Sequence, residues 1–219
     1  MKLFLFDLDR VLVETEGHDG AFIFVFEKIY GLEVSKERFP ETRGMTDLQV
    51  YFHFLSPYFP EEEIVKKLEK ARRKMTDWYR KWIKDKEAKA LPGVRDFLEK
   101  LKKEKVPRGV VTGNLKGIAK IKLQKAALLK YFDPFFGGFG EDGKERIKLL
   151  ERVIAGAEEI LTQKFSKKEV IYFDDTPRGI EVGNKLSIRV IGVATGNYSV
   201  EELKRFTPYV IEKLSDFKE

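Results

Sequence analysis

Four short apolar runs, separated by helix-like segments, constrain the fold of this sequence more than any other feature. They cover residues 2–6, 109–112, 170–173 and 188–193. Runs of this length, bounded by turn or acidic residues, are typical of strands buried on both faces. A helical pattern precedes each of the last three, and strands that alternate with helices form parallel βαβ units. The sequence therefore predicts an α/β fold with a doubly wound, Rossmann-like parallel sheet.

The stretch from about residue 16 to residue 89 breaks this alternation. It has no convincing strand, and it contains helical patterns over 21–30, 46–54 and 61–82. An all-helical block after the first strand predicts a cap domain inserted into the sheet domain. The predicted boundaries are 1–15 and 89–219 for the core and 16–88 for the cap. The aromatic side chains of the block are expected to form its apolar core: Phe22, Phe24, Phe26, Tyr51, Phe52, Phe54, Trp78, Tyr79 and Trp82.

The charge balance favours a small anionic partner over nucleic acid. The net charge is +6 and the pI is near 9.2. Acids and bases are interleaved at helical spacing over 62–74, which is typical of a solvated helix face and not of a basic stripe. A modest positive field also attracts small anions. A nucleic-acid binder stays open as an alternative, and it predicts an affinity that falls steeply with salt.

No segment has the length of a membrane anchor. The apolar runs fall far short of the roughly 20 residues that a membrane span needs. Residues 1–6 are apolar, but acids interrupt them at once, which is too early for a secretory leader. We therefore expect a cytoplasmic protein, a monomer or homodimer, with no membrane partner.

The lack of cysteine narrows the possible chemistry. Disulfides, thiolate zinc sites and cysteine nucleophiles are excluded. A metal would be held by oxygen atoms or by His18 and His53, which favours a hard cation such as Mg²⁺. Asn and Gln occur three times each while Lys, Arg and Glu are abundant, a bias typical of heat-adapted proteins.

Acidic residues follow two of the predicted strands. Asp7 and Asp9 come after the first run, and Asp174 and Asp175 after the third. Two acids separated by one residue of extended chain share a face, and they repel unless a cation lies between them. Such a pair suits a Mg²⁺ site in which one carboxylate is a nucleophile. The structural alternatives are a solvated turn for the first pair and helix capping ahead of Pro177 for one acid of the second.

Polar and basic groups complete the pattern. Thr112, Gly113 and Asn114 follow the second predicted strand, where a hydroxyl and backbone N–H groups can converge on a phosphate oxygen. An ordinary turn with Asn as helix N-cap is the alternative. Lys144 and Arg146 precede the next helix, and either can supply a cation that offsets phosphate charge.

These motifs, in this order, resemble the haloacid dehalogenase (HAD) superfamily, over nearly the whole chain outside the predicted cap. Within the superfamily, the chain most resembles the phosphoglycolate-phosphatase-like branch with a helical cap. The resemblance lies in the short sequence motifs at 110–115, 139–142, 175–177 and 193–196. The resemblance implies a phosphatase that cleaves a small phosphorylated metabolite. A phosphoglycolate-like substrate is the first guess.

The resemblance also implies roles for the acids. Asp7 is the expected nucleophile, which forms an aspartyl-phosphate, and Asp9 is the expected general acid and base. Asp175 is expected to complete the Mg²⁺ site together with Asp7 and the main-chain carbonyl of Asp9. Asp174 is an expected outer partner of that site.

The resemblance implies that Thr112 binds phosphate and that one cation stabilises the reacting charge. Lys144 fits the usual distance to the following helix, whereas Arg146 matches the sequence motif of the most similar group. Both residues therefore stay candidates. Arg43 lies in a segment that resembles the loop over the site in capped relatives, where it can bind a second anionic group such as a carboxylate; a plain surface role is the alternative. His18, near the predicted hinge, is expected to be structural.

Two motifs depart from the family pattern, one at Arg10 and one at Asp174 and Gly179. Arg10 replaces a usual glycine, so we expect that the turn after Asp9 does not require a positive φ. Gly179 stands where a final aspartate is usual, and Asp174 stands where a glycine is usual. Two alternatives to the phosphatase follow: a sugar phosphomutase that uses the same acids, and a non-catalytic phosphate-sensing or interaction module on the same core.

Overall fold

The computed structural model describes residues 1–218 and shows a sheet of short strands between helices. The strands are β1 Leu3–Phe6, β2 Val13–Glu14, β3 Lys89–Ala90, β4 Arg108–Val111, β5 Gly137–Gly138, β6 Val170–Asp174, β7 Arg189–Val193 and β8 Val210–Ile211. The α-helices are α1 His18–Val25, α2 Asp47–Leu55, α3 Glu61–Trp82, α4 Val94–Lys103, α5 Lys116–Lys125, α6 Arg146–Leu161, α7 Pro177–Lys185 and α8 Val200–Leu203.

The main sheet has six parallel strands in the order β5-β4-β1-β6-β7-β8. This confirms the predicted α/β fold with a doubly wound parallel sheet. The first strand in the sequence, β1, lies between β4 and β6 at the centre of the sheet. After β1 the chain adds β4 and β5 on one side of it and then β6, β7 and β8 on the other side. Such a reversal of strand order opens a crevice at the carboxyl ends of the strands.

The four predicted strands correspond to β1, β4, β6 and β7, each within one residue at either end. The edge strands β5 and β8 were not predicted. Each has only two residues, and neither lies in an apolar run of strand length. The three helical patterns of the block correspond to α1 with the π-helical turn Phe26–Tyr30, to α2 and to α3.

Strand β1 is buried on both faces, because its alternate side chains enter two different apolar clusters. Phe4 and Phe6 pack with α4 and α5 residues on one side, and Leu3 and Leu5 pack with α6 and α7 residues on the other. Phe6 stacks on Phe173 of β6 with ring centroids 4.9 Å apart. A continuous apolar strand is the sequence signature of this two-sided burial.

The helical segment, residues 18–85, has an apolar cluster of its own. Phe22, Phe26, Tyr51, Phe54 and Tyr79 are buried in it, and the other predicted aromatic residues pack against it partly buried. The predicted aromatic core is thereby confirmed. The antiparallel ribbon of β2 and β3 flanks the segment where the chain leaves the sheet and returns. The domain boundaries at 16–88 stay a prediction. Within residues 1–218, no helix has the length and apolar character to cross a bilayer.

Candidate active site

The nucleophile candidate Asp7 directly follows the central strand. Its N–H donates to the Phe173 carbonyl at 2.9 Å, so the backbone is still held by the sheet ladder at this point. The side chain is buried, with 7 % of the residue exposed. Asp7 Oδ1 accepts a hydrogen bond from Arg146 Nη2 at 3.2 Å. The sheet thus fixes the carboxylate against a buried guanidinium.

Asp7, Asp174 and Asp175 form a buried acidic cluster, in which one oxygen of each lies within 4.8 Å of the others. Burial, opposed by Arg146 and aided by the neighbouring carboxylates, raises the pKa of Asp7 to about 7. Burial likewise raises the pKa of Asp175 to about 9, aided by Asp174 and Asp7. The three carboxylates have one positively charged neighbour, the Arg146 guanidinium, which cannot offset all of their charge. A hard cation that prefers oxygen ligands therefore fits the cluster.

Asp174 is the most completely hydrogen-bonded of the three. Its Oδ1 accepts from the backbone N–H and the hydroxyl of Thr176 at 2.8 and 2.7 Å. Its Oδ2 accepts from Arg146 Nη2 at 3.0 Å and from the Tyr172 hydroxyl. Because these partners occupy its lone pairs, Asp174 is placed to orient Arg146, and Asp7 and Asp175 keep more freedom to bind a ligand.

The glycine at position 179, where an aspartate is usual in the family, has a steric explanation. A Cβ atom at this position lies only 1.9 Å from Asp174 Oδ2. Any side chain here, including the usual aspartate, displaces the Asp174 carboxylate. The two departures, Asp174 and Gly179, therefore compensate each other.

The structure separates the two candidate cations. Arg146 is 7 % exposed, and it contacts Asp7, Asp174 and the Tyr172 hydroxyl. Lys144 lies at the surface, where its Nζ pairs with Glu61 of α3 at 3.3 Å and lies over the Phe52 ring. The structure brings Arg146 to the acidic cluster and leaves Lys144 outside it.

The expectation for Arg10 was wrong. Its φ is +65°, the left-handed conformation that favours glycine. The neighbouring structure holds it there: its N–H donates to the Val13 carbonyl at 2.9 Å, and its carbonyl accepts from the Thr195 hydroxyl. Its guanidinium pairs with Glu14 at 2.6 Å. These contacts oppose a backbone strain of roughly 1–3 kcal/mol.

Asp9 is bound to a residue that sequence reasoning missed, the buried Lys122 of α5. Lys122 Nζ lies 2.7 Å from both Asp9 carboxylate oxygens and from Asn114 Oδ1. Burial favours a higher pKa for Asp9, but the Lys122 charge and hydrogen bonds outweigh it and lower that pKa. A signal was available: Lys122 falls on the apolar face of its helix, with Ile118 and Leu123.

The Thr112–Asn114 turn also lies at this edge of the sheet. Thr112 is buried, and its Oγ accepts from Asn114 Nδ2 at 2.9 Å. The same amide nitrogen lies 2.8 Å from Asp9 Oδ2. The Asn114 side chain thus positions Asp9 and Thr112. The phosphate-binding role predicted for the turn stays a prediction.

Gly113 joins the sheet to the helical segment. Its carbonyl accepts from the Asp47 N–H at 2.7 Å, and a Cβ here lies 2.5 Å from the Met45 carbonyl. The buried Asp47 carboxylate accepts from the Leu115 N–H at 2.8 Å and lies 2.8 Å from His18 Nε2. His18 therefore links helix α1 to this junction, while His53 lies 3.5 Å from Glu41 elsewhere. Neither histidine joins the acidic cluster.

A cavity of about 470 Å³ opens above these groups, between the sheet edge and the helical segment. Asp7, Asp9, Thr112, Arg146 and Asp175 line its floor, and Arg43 of the predicted substrate loop lines it as well. The volume suits a small metabolite. Candidate residues from separate regions of the sequence thus meet in one space. Among the candidates, Lys144 and Asp174 do not line it, and Asp174 lies behind it in contact with Arg146.

A match that spans most of the fold decides the family. A family model described as haloacid dehalogenase-like hydrolase matches residues 4–193. The chain belongs to the haloacid dehalogenase-like hydrolase family. The predicted superfamily is confirmed, and with it the prediction that the protein is an enzyme, a hydrolase of this family.

Relatives of this HAD chain cover nearly its full length. A protein of Caldanaerobacter subterraneus subsp. tengcongensis, named as a pyrophosphatase (PpaX), is 26 % identical over 212 residues, which are 96 % of this chain and 90 % of that protein. An HAD family IA variant 3 hydrolase of Entamoeba histolytica has a TM-score of 0.70 at 24 % identity, covering 100 % and 96 % of the two chains. A β-phosphoglucomutase of Clostridium difficile has a TM-score of 0.71 at 21 % identity, covering 100 % and 93 %. These two structures support the fold.

The Gly179 contact generates a stability prediction. We expect Gly179→Ala to lower the free energy of unfolding by roughly 1–3 kcal/mol, because the new methyl group overlaps the Asp174 carboxylate. Gly156→Ala in α6 is the matched control, since a Cβ there meets nothing within 4 Å, and it is expected to stabilise the helix by about 0.5–1 kcal/mol. Urea unfolding measures both. Equal stability of the Gly179→Ala variant and the wild type contradicts the steric account.

The Lys122–Asp9 pair generates a second prediction. Lys122→Met is expected to lower the free energy of unfolding by about 1–3 kcal/mol at pH 7, because it leaves Asp9 and Asn114 without their donor. The pKa of Asp9 is lowered in the folded state, so its stabilising effect is present above its unfolded pKa of about 3.9 and is lost as the pH falls further.

The difference between the wild type and Lys122→Met should therefore shrink in acid, as urea unfolding at several pH values can show. Lys120→Met, on the exposed side of the same helix, is the control and should change stability by less than about 0.5 kcal/mol. A gap that does not change with pH rules out the ion pair as its source.

Proposed function

We propose that this HAD hydrolase is a Mg²⁺-dependent phosphatase that cleaves a small phosphate monoester through an aspartyl-phosphate on Asp7. The observation that carries the proposal is the setting of Asp7, buried beside Arg146 and clustered with Asp175 on the floor of a cavity. Its proposed partner is a small phosphorylated metabolite, with a phosphoglycolate-like compound as first guess. A cytoplasmic location and the absence of nucleic-acid and membrane partners stay predictions.

The residues of the acidic cluster fit a divalent cation. Their carboxylates are buried and exceed the single positive charge of Arg146. Asp7, Asp175 and the main-chain carbonyl of Asp9 would hold Mg²⁺, with Asp174 as an outer partner. When bound, the ion supplies positive charge that offsets the charges of the phosphate and of Asp7.

In the proposed first step, an Asp7 carboxylate oxygen attacks the phosphorus, and the bond from phosphorus to the leaving oxygen breaks. Arg146, within hydrogen-bond distance of Asp7, stabilises the charge that develops on the phosphoryl oxygens. The Thr112 hydroxyl and nearby backbone N–H groups bind the same oxygens. Asp9 donates a proton to the leaving alkoxide. Because Lys122 lowers the pKa of Asp9, the negative charge of the bound phosphate has to raise that pKa for Asp9 to carry the proton in this step.

In the second step, water attacks the phosphorus of the aspartyl-phosphate. Asp9, now ionised, accepts a proton from the water, and the bond from phosphorus to the Asp7 oxygen breaks. Inorganic phosphate leaves, and Asp7 is regenerated as a carboxylate. Lys122 and Asn114 stabilise the ionised form of Asp9 that this step requires.

Turnover of 4-nitrophenyl phosphate with Mg²⁺ tests the proposal. Asp7→Asn is expected to lower kcat by roughly 10³-fold or more, because the variant has no carboxylate nucleophile. Asp77→Asn is the matched control, since Asp77 is exposed on α3 and pairs with Arg80, and we expect its activity to equal that of the wild type.

Full activity of the Asp7→Asn variant would falsify the assignment of the nucleophile. A long-lived aspartyl-phosphate without net phosphate release would identify a phosphomutase instead. Calorimetry that finds no Mg²⁺ binding by the folded protein would favour the non-catalytic module.

The raised pKa values generate a prediction for the metal-free protein. Folded Asp7 and Asp175 keep protons up to about pH 7 and pH 9, whereas the unfolded chain releases them near pH 3.9. Between these values the unfolded state binds fewer protons, so stability falls as the pH rises. We expect the Tm of the EDTA-treated protein to fall from pH 5 to pH 9.

Added Mg²⁺ should raise the Tm more at pH 8 than at pH 5, because protons compete with the metal for the same carboxylates. Asp175→Asn should lose most of this gain. An equal rise in Tm at both pH values would show that the ion binds elsewhere.

A further inference from the structure

Two arginines of the cavity have no counter-ion. Arg43 and Arg178 line the same space as Asp7, and within residues 1–218 neither guanidinium forms an ion pair or a side-chain hydrogen bond. The other guanidinium groups that line it are paired, Arg146 with Asp7 and Asp174, and Arg10 with Glu14. The charges of Arg43 and Arg178 are therefore available to a ligand.

The two arginines come from opposite sides of the cavity. Arg43 lies in the loop before α2 of the helical segment, and Arg178 lies in the first turn of α7 beside the sheet. The Arg178 side chain passes directly over Gly44, with its Cδ 3.2 Å from the position of a Cβ there. Gly44 has a φ of +76° and no side chain, so the loop can approach this closely. The aliphatic part of the Arg178 side chain thus packs against Gly44, the residue that follows Arg43.

Two other charged side chains of the cavity also line a second, adjoining hollow. Lys36 and Asp19 also have no ion-pair partner among the described residues, but both line an adjoining hollow with Trp78 and Trp82 as well. Arg43 and Arg178 do not line that hollow. Two exposed guanidinium groups without an ion-pair partner thus lie in the part of the cavity outside that hollow, where one anion can accept hydrogen bonds from both.

We propose that Arg43 and Arg178 form a second anion subsite, which binds a phosphoryl group of the substrate other than the one that is cleaved. The substrate class is then a small metabolite with two phosphoryl groups. Guanidinium groups bind phosphoryl oxygens in a bidentate manner, and two of them match a double negative charge, whereas a carboxylate offsets only one. This inference rests on the proposed phosphatase function and names its substrate class.

The experiment compares kcat/KM for fructose 1,6-bisphosphate, phosphoglycolate and 4-nitrophenyl phosphate with Mg²⁺. The wild type should prefer the bisphosphate. Arg43→Gln and Arg178→Gln should each lower the ratio of kcat/KM for the bisphosphate over 4-nitrophenyl phosphate by roughly 10- to 100-fold, the effect of one lost charged hydrogen-bonding group. Arg205→Gln, an exposed arginine that does not line the cavity, is the control and should leave all three values unchanged.

A ratio that stays constant in both variants overturns the subsite. An equal loss with phosphoglycolate overturns its assignment to a phosphoryl group, because the carboxylate then serves as well. If the wild type does not hydrolyse 4-nitrophenyl phosphate, the proposed function fails. The subsite is then tested independently of activity, by measuring how tightly the protein binds pyrophosphate and phosphate. Calorimetry should then show that Arg178→Gln weakens pyrophosphate binding about 10-fold more than phosphate binding, and an equal effect on both overturns the inference.

Discussion

One guanidinium buried among three carboxylates is the interaction on which the rest of the site depends. Arg146 reaches Asp7 and Asp174 through a single nitrogen, which the Tyr172 hydroxyl also contacts. A buried ion pair is tolerated when its hydrogen bonds are complete, and Asp174 meets that condition through Thr176. Asp7 and Asp175 do not, so burial raises the pKa of both. This imbalance of charge supports the proposed Mg²⁺ site more directly than the mere count of acids does.

Asp7 and Asp9, separated by one residue, lie in opposite electrostatic settings. Burial raises the pKa of Asp7, whereas Lys122 lowers that of Asp9 despite its burial. In the metal-free protein these shifts are the reverse of what the proposed roles need, since the nucleophile has to be ionised and the general acid protonated. In the metal-free protein Asp7 is partly protonated near neutral pH, which makes it a poor nucleophile. A nearby cation favours its ionised form, so the proposed attack and the proposed metal site depend on each other.

The parts of the molecule that the sequence revealed are those with a local signal. The central strands are apolar on both faces, and acids follow them directly, so both the sheet and the acidic cluster could be predicted. Tyr172 could not be assigned a polar role, because inside an apolar run it is indistinguishable from a core residue. The position of Lys122 on the apolar face of its helix could have indicated burial, but its pairing with Asp9 could not be predicted, because the two residues are distant in sequence. Arg10 was misjudged because the contact that holds its backbone comes from Thr195, far along the chain.

Substrate choice has the least local signal of all, because its proposed determinants, Arg43 and Arg178, lie on both sides of a contact between the helical segment and the sheet. The Asp47 N–H binds the Gly113 carbonyl, and the Asp47 carboxylate binds the Leu115 N–H. These bonds fix the start of α2, and with it the preceding loop that holds Arg43. The position of Arg43 relative to Arg178 therefore depends on a buried aspartate whose carboxylate contacts Leu115 and His18. Because a small displacement of a binding group costs affinity, the proposed subsite depends on that junction as much as on the two arginines themselves.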